Sequence, residues 1–308
     1  MNFRAVCTML TLVVLFSSFS TKNKPIRNKN LPKYFVEVQS GKVWLPVRND
    51  RPINTHSWAK RVDSCETFYI AESEVSNGDY KLYLSSLKQN GLIQEYNLAL
   101  PDTTVWRQKL TYQEPYVKYY FQHPAYTDYP VVGVSKKQAL NYCKWLTDSL
   151  HAEDPQVGIK VTLPTRKQWI RAARGSEEHQ SYAMSFPSGL RNSKGVFMYN
   201  HRVIGGENIY LDEETKEYKL VPRNVMSFSV FGDDGGLIAA QVKSYWPNTF
   251  GTYNMCGNVA ELIADDTVAL GGSWLDPGYD IRIESEKPAG QASCLIGFRV
   301  IAYINLHE

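Results

Sequence analysis

Apolar residues recur along this chain in short bursts, and only three stretches carry a sustained helical period. Ser76-Asn77-Gly78-Asp79 opens the first, with Tyr80, Tyr83, Leu84 and Leu87 falling on one face. Ser135-Lys136-Lys137-Gln138 is a capping box that leads into Ala139, Tyr142, Cys143 and Leu146. Thr165-Arg166-Lys167-Gln168 is another, followed by Trp169, Ala172 and Ala173, with Gly175 placed to end the helix. Short apolar runs at Phe68–Ile70, Val131–Val134 and Phe298–Tyr303 predict strands. Ile209–Leu220 predicts a polar-tipped hairpin. The remainder reads as long connections rich in Gly, Pro, Asn and Asp. The pattern therefore predicts an α+β fold of short strands, a few short helices and long irregular loops.

The N-terminus follows a different rule. Arg4 precedes an apolar run from Ala5 to Phe16, and Ser18-Phe19-Ser20 offers a small-x-small cleavage site. Residues 1–20 are expected to be an export signal. The run is too short for a spanning helix, and no later stretch approaches 18 apolar residues. Cys7 lies inside the run with no leader before it, so no lipid anchor is expected. The mature chain should be exported, periplasmic or outer-membrane-associated. Residues 21–60 read as a polar leader and lead-in, and 61–308 as one domain with an insertion at 203–231.

Composition narrows the partners. Lys+Arg 34 against Asp+Glu 31 leaves a net charge of +3 and no basic patch, which argues against nucleic acid. Beyond the signal the cysteines are Cys65, Cys143, Cys256 and Cys294, and an exported chain could hold them as two disulfides or as buried thiols. No C-x-x-C pair or paired-histidine spacing points to zinc.

The order of short motifs is more specific than any one of them. Glu74-Val75-Ser76-Asn77, Tyr129-Pro130-Val131-Val132-Gly133-Val134, Leu163-Pro164-Thr165 and Ala172-Ala173-Arg174-Gly175 come in turn. Phe250-Gly251-Thr252-Tyr253-Asn254, Gly257-Asn258-Val259, Gly271-Gly272-Ser273-Trp274 and Gly297-Phe298-Arg299 complete the series. Over about 235 residues the chain resembles the formylglycine-generating enzyme, or sulfatase-modifying factor, family. The resemblance implies a compact fold related to C-type lectins. Upstream, Leu100–Trp106, Tyr112–Tyr116 and His123–Val132 resemble the branch formed by gliding-motility lipoproteins K and J and the type IX secretion ring protein. That branch implies a structural part of the cell envelope with protein partners from a secretion or gliding complex.

The resemblance also says which chemistry to look for. Aerobic members bind copper(I) through two cysteine thiolates, soft ligands suited to that ion. The matching positions here hold Asp276 and Ile281, so no copper and no catalysis of that type are expected. Calcium is implied twice. Asn254, the Gly257 and Val259 carbonyls and the Glu261 carboxylate match one family site. Asn200, the His201 carbonyl, Asp234 and the Gly236 carbonyl match another. The expectation is a non-catalytic exported scaffold or adaptor, a pseudoenzyme. One alternative is a lectin-like binder using Trp274, Asp276 and Tyr279 as its ligand surface. The other is an oxidoreductase of the formylglycine-generating type with an altered site.

Overall fold

A computed structural model describes residues 25–46, 60–107, 112–176, 180–183, 190–203, 209–220 and 238–306. The expected signal, Asp234, Gly236 and much of the insertion lie outside the described residues.

The centre is a four-stranded antiparallel sheet. Its strands are β1 (Phe35–Val38), β4 (Phe68–Ala71), β12 (Ile301–Leu306) and β5 (Val157–Thr162), in the order β1-β4-β12-β5. Strand periodicity sends alternate side chains to two different cores. Phe35, Val157, Ile159, Val161 and Ala302 meet the helices α1 (Asn77–Gln89) and α4 (Lys136–Glu153). Val36, Val38, Phe68, Ile70 and Ile301 meet Trp169, Ile170 and Ala173 of α5 (Arg166–Arg174) on the other face.

The three predicted helices form where their caps place them. Ser76, Ser135 and Thr165 each accept from the amide three residues on, and Asp79, Gln138 and Gln168 reach back. Tyr80, Tyr83, Leu84 and Leu87 are buried as the period required, and Tyr80 stacks on Tyr142 of α4 at 5.7 Å. At the end of α5, Gly175 takes φ 64° where a Cβ would lie 2.4 Å from Thr249 Oγ1, so only glycine fits. Two further helices, α2 (Ile93–Ala99) and α3 (Glu114–Tyr119), were not visible in the pattern because few of their residues are buried.

A second sheet holds the loops together. Strands β8 (Ala260–Leu262), β9 (Val268–Leu270), β10 (Glu286–Pro288) and β11 (Ile296–Gly297) run in the order β10-β9-β8-β11, with β11 parallel to β8. A ribbon pairs β2 (Gly41–Pro46) with β3 (Lys60–Cys65), and β6 (Ile209–Leu211) pairs with β7 (Tyr218–Leu220) as the predicted hairpin.

Several expectations need correction. Val131–Val134 is not a strand. Val131 N–H donates to the Val75 carbonyl and Gly133 N–H to that of Ser293, while Gly133 turns to φ 73°, so its backbone bonds go to loops. The Phe298–Tyr303 run becomes regular only from Ile301. Its first half instead pairs with the approach to α1, through Val75 N–H on the Phe298 carbonyl. The polar segment before residue 61 supplies β1 and β2, because Phe35, Val36 and Val38 are apolar enough to be buried within it. Of the two states open to Cys65, Cys143, Cys256 and Cys294, the structure has the buried thiols, and no disulfide joins them.

Candidate functional site

Helix α5 and the segment just before β12 converge on Glu261 of β8. This carboxylate has no solvent exposure and accepts three charge-relevant bonds. Trp169 Nε1 donates to Oε2 at 2.7 Å, Arg299 Nε to Oε2 at 2.6 Å, and Arg299 Nη2 to Oε1 at 2.6 Å. Arg299 is equally buried and also donates to the carbonyls of Tyr253 (2.7 Å) and Ala71 (3.2 Å). One guanidinium thus ties the first sheet, the second sheet and the Phe250–Asn254 turn.

A second buried carboxylate, Glu74, lies 4.0 Å from Arg299. Its oxygens accept from Asn258 Nδ2 at 2.7 Å and Asn254 Nδ2 at 3.3 Å. Burial pushes Glu74 up to about 8, overcoming the opposing pull of Arg299. A carboxyl pushed up that far keeps its proton at neutral pH, so the Arg299 guanidinium faces one carboxylate, Glu261.

The Asn254–Glu261 turn is shaped for close approach. Asn254 and Asn258 take left-handed conformations at φ 52° and 59°. Gly257 sits at φ 73° where a Cβ would lie 2.2 Å from the Asn200 carbonyl oxygen. Asn258 N–H donates to that same oxygen at 2.8 Å, so the two candidate calcium segments touch. Asn200 Nδ2 donates to the Ile238 carbonyl at 2.9 Å, while its buried Oδ1 has no hydrogen-bond partner among the described residues. His201 is buried, with Nδ1 2.9 Å from the Tyr199 carbonyl.

One observation fits a calcium ion: the buried Asn200 Oδ1, which accepts no hydrogen bond among the described residues, is the ligand type calcium takes. Both Glu261 oxygens already accept from Arg299, and Oε2 also from Trp169. Among the described residues no cluster of three His, Cys, Asp or Glu side chains could hold a metal by itself, so carbonyl and amide oxygens would have to complete either site.

The loop that bears copper thiolates in the family is built differently here. Asp276 Oδ2 accepts from Ser273 N–H at 2.8 Å and from Ser273 Oγ at 2.6 Å, and Lys287 Nζ reaches Oδ1 at 2.9 Å. Asp276 is therefore a turn-closing, charge-paired residue. Ile281 is fully buried in the α5 core. The thiols lie elsewhere, and burial pushes those of Cys143 and Cys256 up to about 12, which keeps them protonated and unreactive.

Trp274, expected at a ligand surface, is 5% exposed and stacks on Trp106 at 6.2 Å. Its indole belongs to an aromatic cluster with Tyr120, Tyr126 and Tyr129. Tyr279 is exposed and carries the Arg282 guanidinium 3.5 Å from its ring centre. Glu74 and Arg299 are the site residues the sequence reading did not single out. For Arg299 the signal was available, since it is a lone charge between Phe298 and Val300 in an apolar stretch and must be buried and therefore paired. Glu74, beside Ser73 and two residues from Glu72, carried no such signal.

Comparison with known proteins agrees with this architecture. A family model described as a sulfatase-modifying factor enzyme 1-like domain matches residues 21–304. The formylglycine-generating enzyme of Mus musculus is 25% identical over 230 residues, covering 67% of this chain and 51% of the mouse protein. The chain thus spans about half the length of that curated relative. The solved structure of PvdO from Pseudomonas aeruginosa superposes with a TM-score of 0.55 at 17% identity, covering 91% of this chain and 98% of PvdO. That likeness shows the fold.

Proposed function

Because the chain belongs to the sulfatase-modifying factor family, we propose that it keeps the family fold without the copper chemistry and works as an exported scaffold or adaptor of the cell envelope. The observation that carries this reading is the pair of substitutions on the family's copper loop. Asp276 serves Ser273 and Lys287, and Ile281 fills the core. Neither side chain is a soft ligand for copper(I).

The envelope role rests on the resemblance of the Leu100–Val132 segment to gliding and type IX secretion proteins and on the export signal expected at residues 1–20. No helix among the described residues is long and apolar enough to cross a membrane. The lectin-like alternative retains the exposed Tyr279 but loses Trp274 to the interior.

Calcium has a structural role in this account. Asn200, the His201 carbonyl, Asp234 and the Gly236 carbonyl would hold one ion. Asn254, the Gly257 and Val259 carbonyls and Glu261 would hold another. A bound divalent cation would fix loops that few regular elements support.

Affinity purification of the tagged chain from its native envelope tests the scaffold role. Stoichiometric recovery with secretion or gliding components is the expected result. Recovery of the chain alone would remove the scaffold reading.

A further inference from the structure

The outer edge of the central sheet is covered by groups of α4 and its cap rather than by another strand. Strand β5 is terminal in its sheet, and its outward amides each find an acceptor from α4 or its cap. Val157 N–H donates to the Asp154 carbonyl at 3.3 Å, Ile159 N–H to His151 Nε2 at 3.0 Å, and Val161 N–H to Thr147 Oγ1 at 2.9 Å. Unpaired edge amides are a template for pairing with foreign strands, and covering them is how folds suppress it. Two of these acceptors, a carbonyl and a hydroxyl, do not titrate. The third is an exposed imidazole.

We propose that His151 is a proton-sensitive guard of this sheet edge. To accept from Ile159, Nε2 must present its lone pair, so the ring is neutral with its hydrogen on Nδ1. A second proton turns Nε2 into a donor facing a donor, and the ring must leave. Histidines ordinarily take that proton below about pH 6.5. The charged residues nearest His151 along α4 and its cap are Asp148, Glu153 and Asp154. Lys160 on β5 alternates to the opposite face of the strand, and Ile304 of β12 lies across from Ile159. Among the described residues none of these acids accepts from the Ile159 amide, which donates to His151. Acid therefore uncovers one backbone donor at the middle of an otherwise sealed edge.

Amide hydrogen exchange on the whole chain tests this, with Val161 as an internal reference that cancels the intrinsic effect of pH. The Ile159-to-Val161 rate ratio should rise about five- to tenfold between pH 7.5 and pH 5.5, the loss of one net hydrogen bond. His151→Gln, which supplies an acceptor that does not titrate, should hold the ratio low at both pH values. His151→Leu should hold it high at both. A wild-type ratio that stays constant, or a rise that persists in His151→Gln, would overturn the proposal.

Discussion

Replacing Arg299 with methionine should lower the unfolding free energy by about 3–5 kcal/mol, the usual cost of stranding a buried charge by removing its partner. Methionine keeps much of the aliphatic volume, so the loss reports electrostatics more than packing. Among the described residues Glu261 would keep the Trp169 indole alone, and Glu74 would lose the guanidinium 4.0 Å away. The carbonyls of Tyr253 and Ala71 would also lose their donor. Adding Glu261→Gln should recover part of the loss, since a neutral amide removes the stranded charge and can still accept from Trp169. Urea denaturation of the single and double variants measures both. A single variant within about 1 kcal/mol of the parent would show that the guanidinium is not the charge holding Glu261.

Chelation should produce the other large effect. A site filled at a hundredfold excess over its dissociation constant stabilises by about 2.7 kcal/mol. At about 2–4 °C per kcal/mol, each calcium ion lost should lower the melting midpoint by several degrees. The Asn200→Ala variant, lacking the buried oxygen that has no internal partner, should lose much of this chelator sensitivity. Thermal melts with and without strong chelator make the comparison, and an unchanged midpoint in the parent chain would remove calcium from the account.

The parts of the fold legible in the sequence were those specified locally. Capping boxes at Ser135 and Thr165 and the Ser76–Asp79 pair fixed three helix starts because donor and acceptor lie three residues apart. The Ile209–Leu220 hairpin was equally local. The β8–β11 sheet was not, since its strands are two or three residues long and their partners are set by tertiary contacts. Val131–Val134 reads as a strand by propensity, but the positive φ at Gly133 and its bonds to separate loops break the ladder. At the site, the family resemblance pointed to Asn254, Gly257, Val259 and Glu261, and the structure supplied the partners of Asn254 and Glu261. Arg299 and Glu74 come from segments 225 positions apart in number, a pairing that periodicity cannot reveal. Trp274 misled because an aromatic beside a Gly-Gly turn looks exposed, whereas Trp106 arrives from a distant segment to cover it.

The central claim is that the family fold persists here without thiolate–copper chemistry. The most direct test incubates the purified chain with copper(I), oxygen and a cysteine-containing sulfatase peptide, and follows the peptide cysteine by mass spectrometry. The account predicts that the cysteine is left intact apart from background oxidation seen without the protein. Catalytic turnover of that cysteine to formylglycine would contradict it.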